Sequence, residues 1–152
     1  MKRIVQSALF TAILFVVTTT VSIPIVVGFV NLSDTIIFLC ASVLPLQYSL
    51  LVAGIGTSLA DVFLGYGQYA IFTFFIKSFE AVIVAKMHTE HTVIKFILAG
   101  IFMMFSYALV DCFLLGSTVP FFPSLFYNGL QATVSIVLAQ LFVKRFIQYF
   151  KK

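Results

Sequence analysis

Apolar residues dominate six stretches of the chain, at about 4 to 23, 33 to 44, 46 to 64, 69 to 86, 93 to 115 and 124 to 146, and each reads as a helix suited to lipid. Between them lie Pro24 to Leu32, a tight break at Pro45, Gly65 to Gln68, the charged run Met87 to Thr92, and Gly116 to Pro123. Glycine or proline punctuates nearly every joint. The second stretch is too short to pass straight through a bilayer, so it must tilt, lean on neighbours or leave part of its surroundings open to water. No internal repeat is visible. The pattern predicts an all-α integral membrane protein with six transmembrane helices, forming a single membrane domain over residues 1–152.

Composition supports this class, because 62% of the residues are hydrophobic and only 9% are charged, with a mean hydropathy of +1.16. Soluble domains are far more charged, and six passes leave no length for one. Lys2 and Arg3 precede an apolar run, but no small-x-small cleavage site follows, so the run reads as a retained first helix and not a signal peptide. In a six-pass arrangement Lys2, Arg3, Lys86, Lys95, Lys144, Arg145, Lys151 and Lys152 all fall on one side. By the excess of basic residues in cytoplasmic segments, that side and both termini are expected inside. The basic pI of 9.2 is therefore a topology signal, with no nucleic-acid partner implied.

Inside this apolar frame, polar residues recur at helical spacing. Tyr69, Thr73, Lys77 and Glu80 form one stripe on the fourth helix, and Ser124, Asn128, Gln131 and Ser135 form another on the sixth. Tyr107 and Asp111 share a face of the fifth, Asp61 lies near the outer end of the third, and Asp34 opens the second. If these stripes converge, they enclose a polar pocket in the outer half of the bundle, with Asn31, Tyr66 and Tyr69 at its rim. Ionised groups in a spanning helix cost about 2.5–3.5 kcal/mol each, so such residues normally pair or line a polar cavity. Lys77 and Glu80, three apart, can offset each other on one helix face, either as a structural ion pair or at the floor of a ligand site.

Structural roles stand beside the functional ones. Asp34 can serve the positive end of a helix dipole, Asn128 and Gln131 can bond across helices, and Tyr66 and Tyr69 can anchor at the interface. Ala8 and Ala12 make a small-xxx-small face, open to internal packing or to partner docking, and Gly54, Gly56, Ser58 and Ala60 suggest close packing of the third helix. His88, His91 and Glu90 read as a solvated turn with too few ligands for a metal, and Cys40 and Cys112 behave as small hydrophobes. No zinc, phosphate-loop or catalytic-serine pattern occurs, so neither a cofactor nor a catalytic residue is expected. The inner halves carry few polar groups, which disfavours a channel. An acid-rich outer pocket with aromatic neighbours suits a flat ring that donates hydrogen bonds or carries positive charge.

The chain resembles the substrate-binding S components of energy-coupling factor (ECF) vitamin transporters over nearly its whole length. The resemblance rests on Ala8-x-x-x-Ala12, the run Gly28-Phe29-Val30-Asn31-Leu32-Ser33-Asp34, Gly54-Ile55-Gly56 leading to Ala60-Asp61, Gly65-Tyr66, and Lys77-Ser78-Phe79-Glu80. It is nearest the subgroup linked with hydroxymethylpyrimidine, vitamin B6 and riboflavin-type components, with Ala81 standing where many relatives carry glycine. The resemblance implies a multi-pass protein of a prokaryotic plasma membrane that captures a vitamin from outside. It further implies docking through Ala8 and Ala12 on a transmembrane scaffold coupled to two cytoplasmic ATPases, outer loops that gate the pocket, and no ATP hydrolysis by this chain. A small intramembrane enzyme acting on lipid head groups, or a structural membrane subunit, would use the same embedded acids differently.

Overall fold

The computed structural model describes residues 2–25, 28–87 and 91–150. Six helices follow one another: α1 (Lys2–Thr20), α2 (Ser33–Val43), α3 (Leu46–Phe63), α4 (Ala70–Lys86), α5 (Thr92–Leu115) and α6 (Phe121–Phe150). The apolar pattern carries the first helix to residue 23, but the chain leaves it at Thr20. It then forms an antiparallel hairpin, β1 (Ser22–Pro24) and β2 (Phe29–Asn31), with Ile23 opposite Val30. The six expected helices are all present among the described residues, and this short hairpin is an addition between the first two. Pro24 cannot continue a helix, and Gly28 takes a left-handed φ of 77° that turns the chain back. The sixth helix begins near Pro123 and runs further than expected, to Phe150.

Four helices, α1, α3, α5 and α6, are long and apolar enough to cross a membrane among the described residues. Helix α4 has 17 residues and is about 25 Å long. Helix α2 has 11 residues and reaches about 16 Å, roughly half a hydrocarbon core. It is therefore an internal helix, packed against α1, α3, α4 and α6. Its run Ile37 to Ala41 is buried without interruption, as expected of a helix that is apolar on all sides.

With no water to drive helices together in lipid, packing and close approach must do so. Gly54 faces α4, where an added Cβ would lie 2.5 Å from Ser78 Oγ and 2.8 Å from the Phe74 ring. Gly56 faces α1, where it would meet Leu14 at 2.9 Å. The interior divides by depth. Near the end that carries the chain termini it is apolar, with Phe10, Leu14, Phe38, Phe96 and Val143 buried and the Phe38 and Phe96 rings stacked 4.8 Å apart. Toward the hairpin end, the buried side chains become polar. Lys2, Arg3, Lys86, Lys95, Lys144 and Arg145 gather at the opposite, terminal end. His88 to Glu90, with Lys151 and Lys152, lie outside the described residues, so the reading of that turn has no structural counterpart here.

Candidate functional site

The polar stripes converge. Helices α2, α4 and α6 all begin at the hairpin end, and α1, α3 and α5 end there, so the stripe-bearing halves of the helices share one depth. Lys77, 2% exposed, forms an ion pair with Asp34, which is fully buried. Asp34 also accepts from the Ser33 hydroxyl at 3.2 Å and from Gln131 Nε2 at 2.8 Å. Gln131 Oε1 accepts in turn from the backbone N–H of Asn31 at 2.8 Å, which ties the floor of the site to strand β2. Asp34 thus does more than serve a helix dipole: it joins α2, α4 and α6.

Glu80 Oε2 lies 3.2 Å from Lys77 Nζ, yet neither Glu80 oxygen completes a hydrogen bond. The lysine therefore serves Asp34 first and Glu80 by proximity. The Lys77 ammonium also sits 5.4 Å from the centre of the Tyr107 ring, within cation–π range.

Above this floor is a cavity of about 40 Å³, lined by Asn31, Asp61, Tyr69, Thr73, Lys77, Tyr107, Asn128 and Gln131. That is room for about three water molecules. Its lid is aromatic: Phe29 packs on Tyr66 at 4.9 Å between ring centres, and Tyr66 meets Tyr69 edge-on at 6.4 Å. Tyr69 donates to Asp111 Oδ1 at 2.8 Å, and Tyr107 donates to Thr73 Oγ1 at 3.0 Å. Asn128 donates to Ser124 at its carbonyl and its hydroxyl.

Eight of the sequence candidates therefore line one cavity, and four stand behind or above it. Asp34 and Glu80 are screened from it by Lys77, while Tyr66 and Asp111 brace the lid. The lining also includes Thr18, Ile25, Gly28, Phe29, Ser33 and Thr57, which the sequence did not mark as site residues. Thr57 had a signal, since it lies one helical turn before Asp61. Thr18 had none, because only the packing of α1 on α3 brings it in.

On the flank of the bundle, Ala8 and Ala12 are both exposed and share an apolar groove with Phe15 of α1 and Ile55, Leu59 and Phe63 of α3. The close contact between α1 and α3 is made elsewhere, by Leu14 on Gly56. Both alanines thus stand on an open face of the bundle.

An apolar helical bundle with a partly open polar cavity under aromatic rings, at the end remote from Lys2 and Phe150, has the form of a multi-pass membrane protein that holds a small molecule. The sequence matches the family of ECF-type riboflavin transporter S components over residues 1–147. The chain belongs to that family. It is accordingly a vitamin-binding subunit of a membrane transporter and not an enzyme, and its partners are a T component and an ATPase module. It is also similar to a Pyrococcus woesei protein described as an uncharacterized protein in gap 3'region, at 33% identity over 123 residues, covering 78% of this chain and 81% of that protein.

Proposed function

We propose that this chain captures a small one-ring heteroaromatic vitamin or vitamin precursor, such as hydroxymethylpyrimidine or pyridoxine, from outside the cell and delivers it inward with the energy-coupling module. The observation that carries this reading is the polar cavity whose walls, Asp61, Tyr107 and Asn128 among them, meet under the Phe29, Tyr66 and Tyr69 rings. Flat rings gain from such faces. With only about 40 Å³ available, any ring compound must displace side chains over the cavity on its way in, and one ring demands less displacement than the three fused rings of the riboflavin in the family's description.

The clustering of basic residues at the terminal end supports an orientation with both termini cytoplasmic, in the plasma membrane of a prokaryote, with the cavity opening outward. The exposed Ala8 and Ala12 groove supports docking of the transmembrane scaffold on α1 and α3, with two ATPases bound to that scaffold. Small residues let a partner helix approach closely. The test is uptake into proteoliposomes holding this chain, the scaffold and both ATPases. Labelled hydroxymethylpyrimidine or pyridoxine should accumulate only with ATP inside the compartment that holds the ATPases. Equal accumulation without ATP, or none with any one-ring vitamin, would overturn the proposal.

A further inference from the structure

The four acids of the site are not equivalent. Asp34 is saturated by Lys77, Ser33 and Gln131. Asp111 is held by Tyr69 outside the lining, and Glu80 lies beneath Lys77, also outside it. Asp61 alone of the four lines the cavity. Its Oδ2 is buried with no hydrogen-bond partner, on a residue 4% exposed. A buried carboxylate oxygen without a partner carries a desolvation cost that an incoming donor would relieve.

The donors around it are committed elsewhere, apart from the Thr73 hydroxyl, which bonds the Asp61 carboxylate and still leaves Oδ2 without a partner. Thr18 and Thr57 give their protons to the carbonyls of Leu14 and Ala53, each at 2.7 Å. Ser33 gives its proton to Asp34, Tyr69 to Asp111 and Tyr107 to Thr73. Lys77, the one cation among the described residues of the lining, is shared between Asp34 and Glu80. An anionic ligand would find no uncommitted positive charge, whereas a ligand with an N–H group would find an acceptor.

We propose that Asp61 is the specificity-determining residue, and that it selects a planar heteroaromatic carrying an amine or ring N–H donor while its phosphorylated form is rejected. This rests on reading the cavity as the ligand site. A site built to hydrogen-bond one substrate group discriminates strongly against analogues lacking it, because its own polar atom is then left buried and unpaired. Rejection of a phosphate ester follows from the same geometry, since its charge would meet Asp61 with Lys77 already taken.

The experiment is calorimetric titration of the full-length purified protein with three probes: hydroxymethylpyrimidine, which carries a ring amine, its analogue with hydrogen in place of the amine, and its phosphate ester. Wild-type protein should bind the amine form at least 100-fold more tightly than the ester. Asp61→Asn should lose roughly 10- to 100-fold for the amine form, the loss expected for a charge-assisted hydrogen bond, and no more than a few-fold for the deaminated analogue. A merely structural Asp61 would weaken both ligands equally, and that result would overturn the assignment, as would tight binding of the ester. Absence of wild-type binding to every one-ring vitamin, hydroxymethylpyrimidine and pyridoxine included, would instead overturn the one-ring reading on which the assignment rests. If Asp61→Asn fails to fold, the wild-type preference for amine over deaminated ligand still decides: equal affinities refute it.

Discussion

Replacing Lys77 by methionine isolates the charge balance on which the cavity floor depends. Lys77 is 2% exposed, and both of its carboxylate neighbours, Asp34 and Glu80, are fully buried. Removing one partner of a buried pair costs about 3–5 kcal/mol, chiefly because the other charge is left uncompensated. Asp34 would keep two donors, from Ser33 and Gln131, but Glu80 would keep none. A loss of about 3 kcal/mol is therefore expected, the low end of that range, and it corresponds to a fall in Tm of roughly 6–12 °C for a chain of this size. Cys40 is fully buried, so in a background with the half-buried Cys112 changed to serine a thiol-reactive dye in detergent reports unfolding. The decisive comparison is the triple change Lys77→Met, Asp34→Asn, Glu80→Gln, which removes all three charges and should recover most of the loss. If Lys77→Met melts with the parent, or the triple variant melts no higher than the single one, the reasoning about buried charge is wrong.

Three further outcomes are expected. Gly54→Ala places a methyl 2.5 Å from Ser78 Oγ, which is itself held by the Leu50 carbonyl at 3.0 Å, so overpacking should cost about 1–3 kcal/mol in the same melting assay; an unchanged Tm would mean that α3 and α4 separate freely. Phe29→Ala removes a lid ring that packs on Tyr66 and should raise the ligand dissociation rate several-fold in stopped-flow displacement, so an unchanged rate would remove the hairpin from the gate. Ala8→Trp should abolish co-purification with the scaffold while leaving vitamin affinity within about two-fold, because Ala8 is remote from the cavity lining. The chain has no other tryptophan, so the new side chain also reports its own environment by fluorescence.

What was legible in the sequence was whatever repeats along a helix. The four, four, three spacing of Tyr69, Thr73, Lys77 and Glu80 gave a face, and three of those residues do line the cavity. Helical spacing also suggested that Lys77 would pair with Glu80, three residues away. It pairs with Asp34 as well, 43 residues away, and Asp34 is reached by Gln131 from 97 residues away. Such contacts depend on how α2 sits between α4 and α6, which no local period encodes. The hairpin leaves little trace for a related reason, since strands of three residues are too short to show alternation and only Pro24 and Gly28 mark the turn. Ala8 and Ala12 were visible as a small-residue face, but spacing alone does not say which way a face points. Both residues are exposed, beside the α3 residues that share their groove.

The most direct test of the central claim is native mass spectrometry of the full-length protein purified gently from its own host membrane. A retained one-ring heteroaromatic, displaced when Asp61 is changed to asparagine, is the result this account predicts. A spectrum with no adduct, unchanged after hydroxymethylpyrimidine, pyridoxine and related one-ring vitamins are each supplied at micromolar concentration, would contradict it.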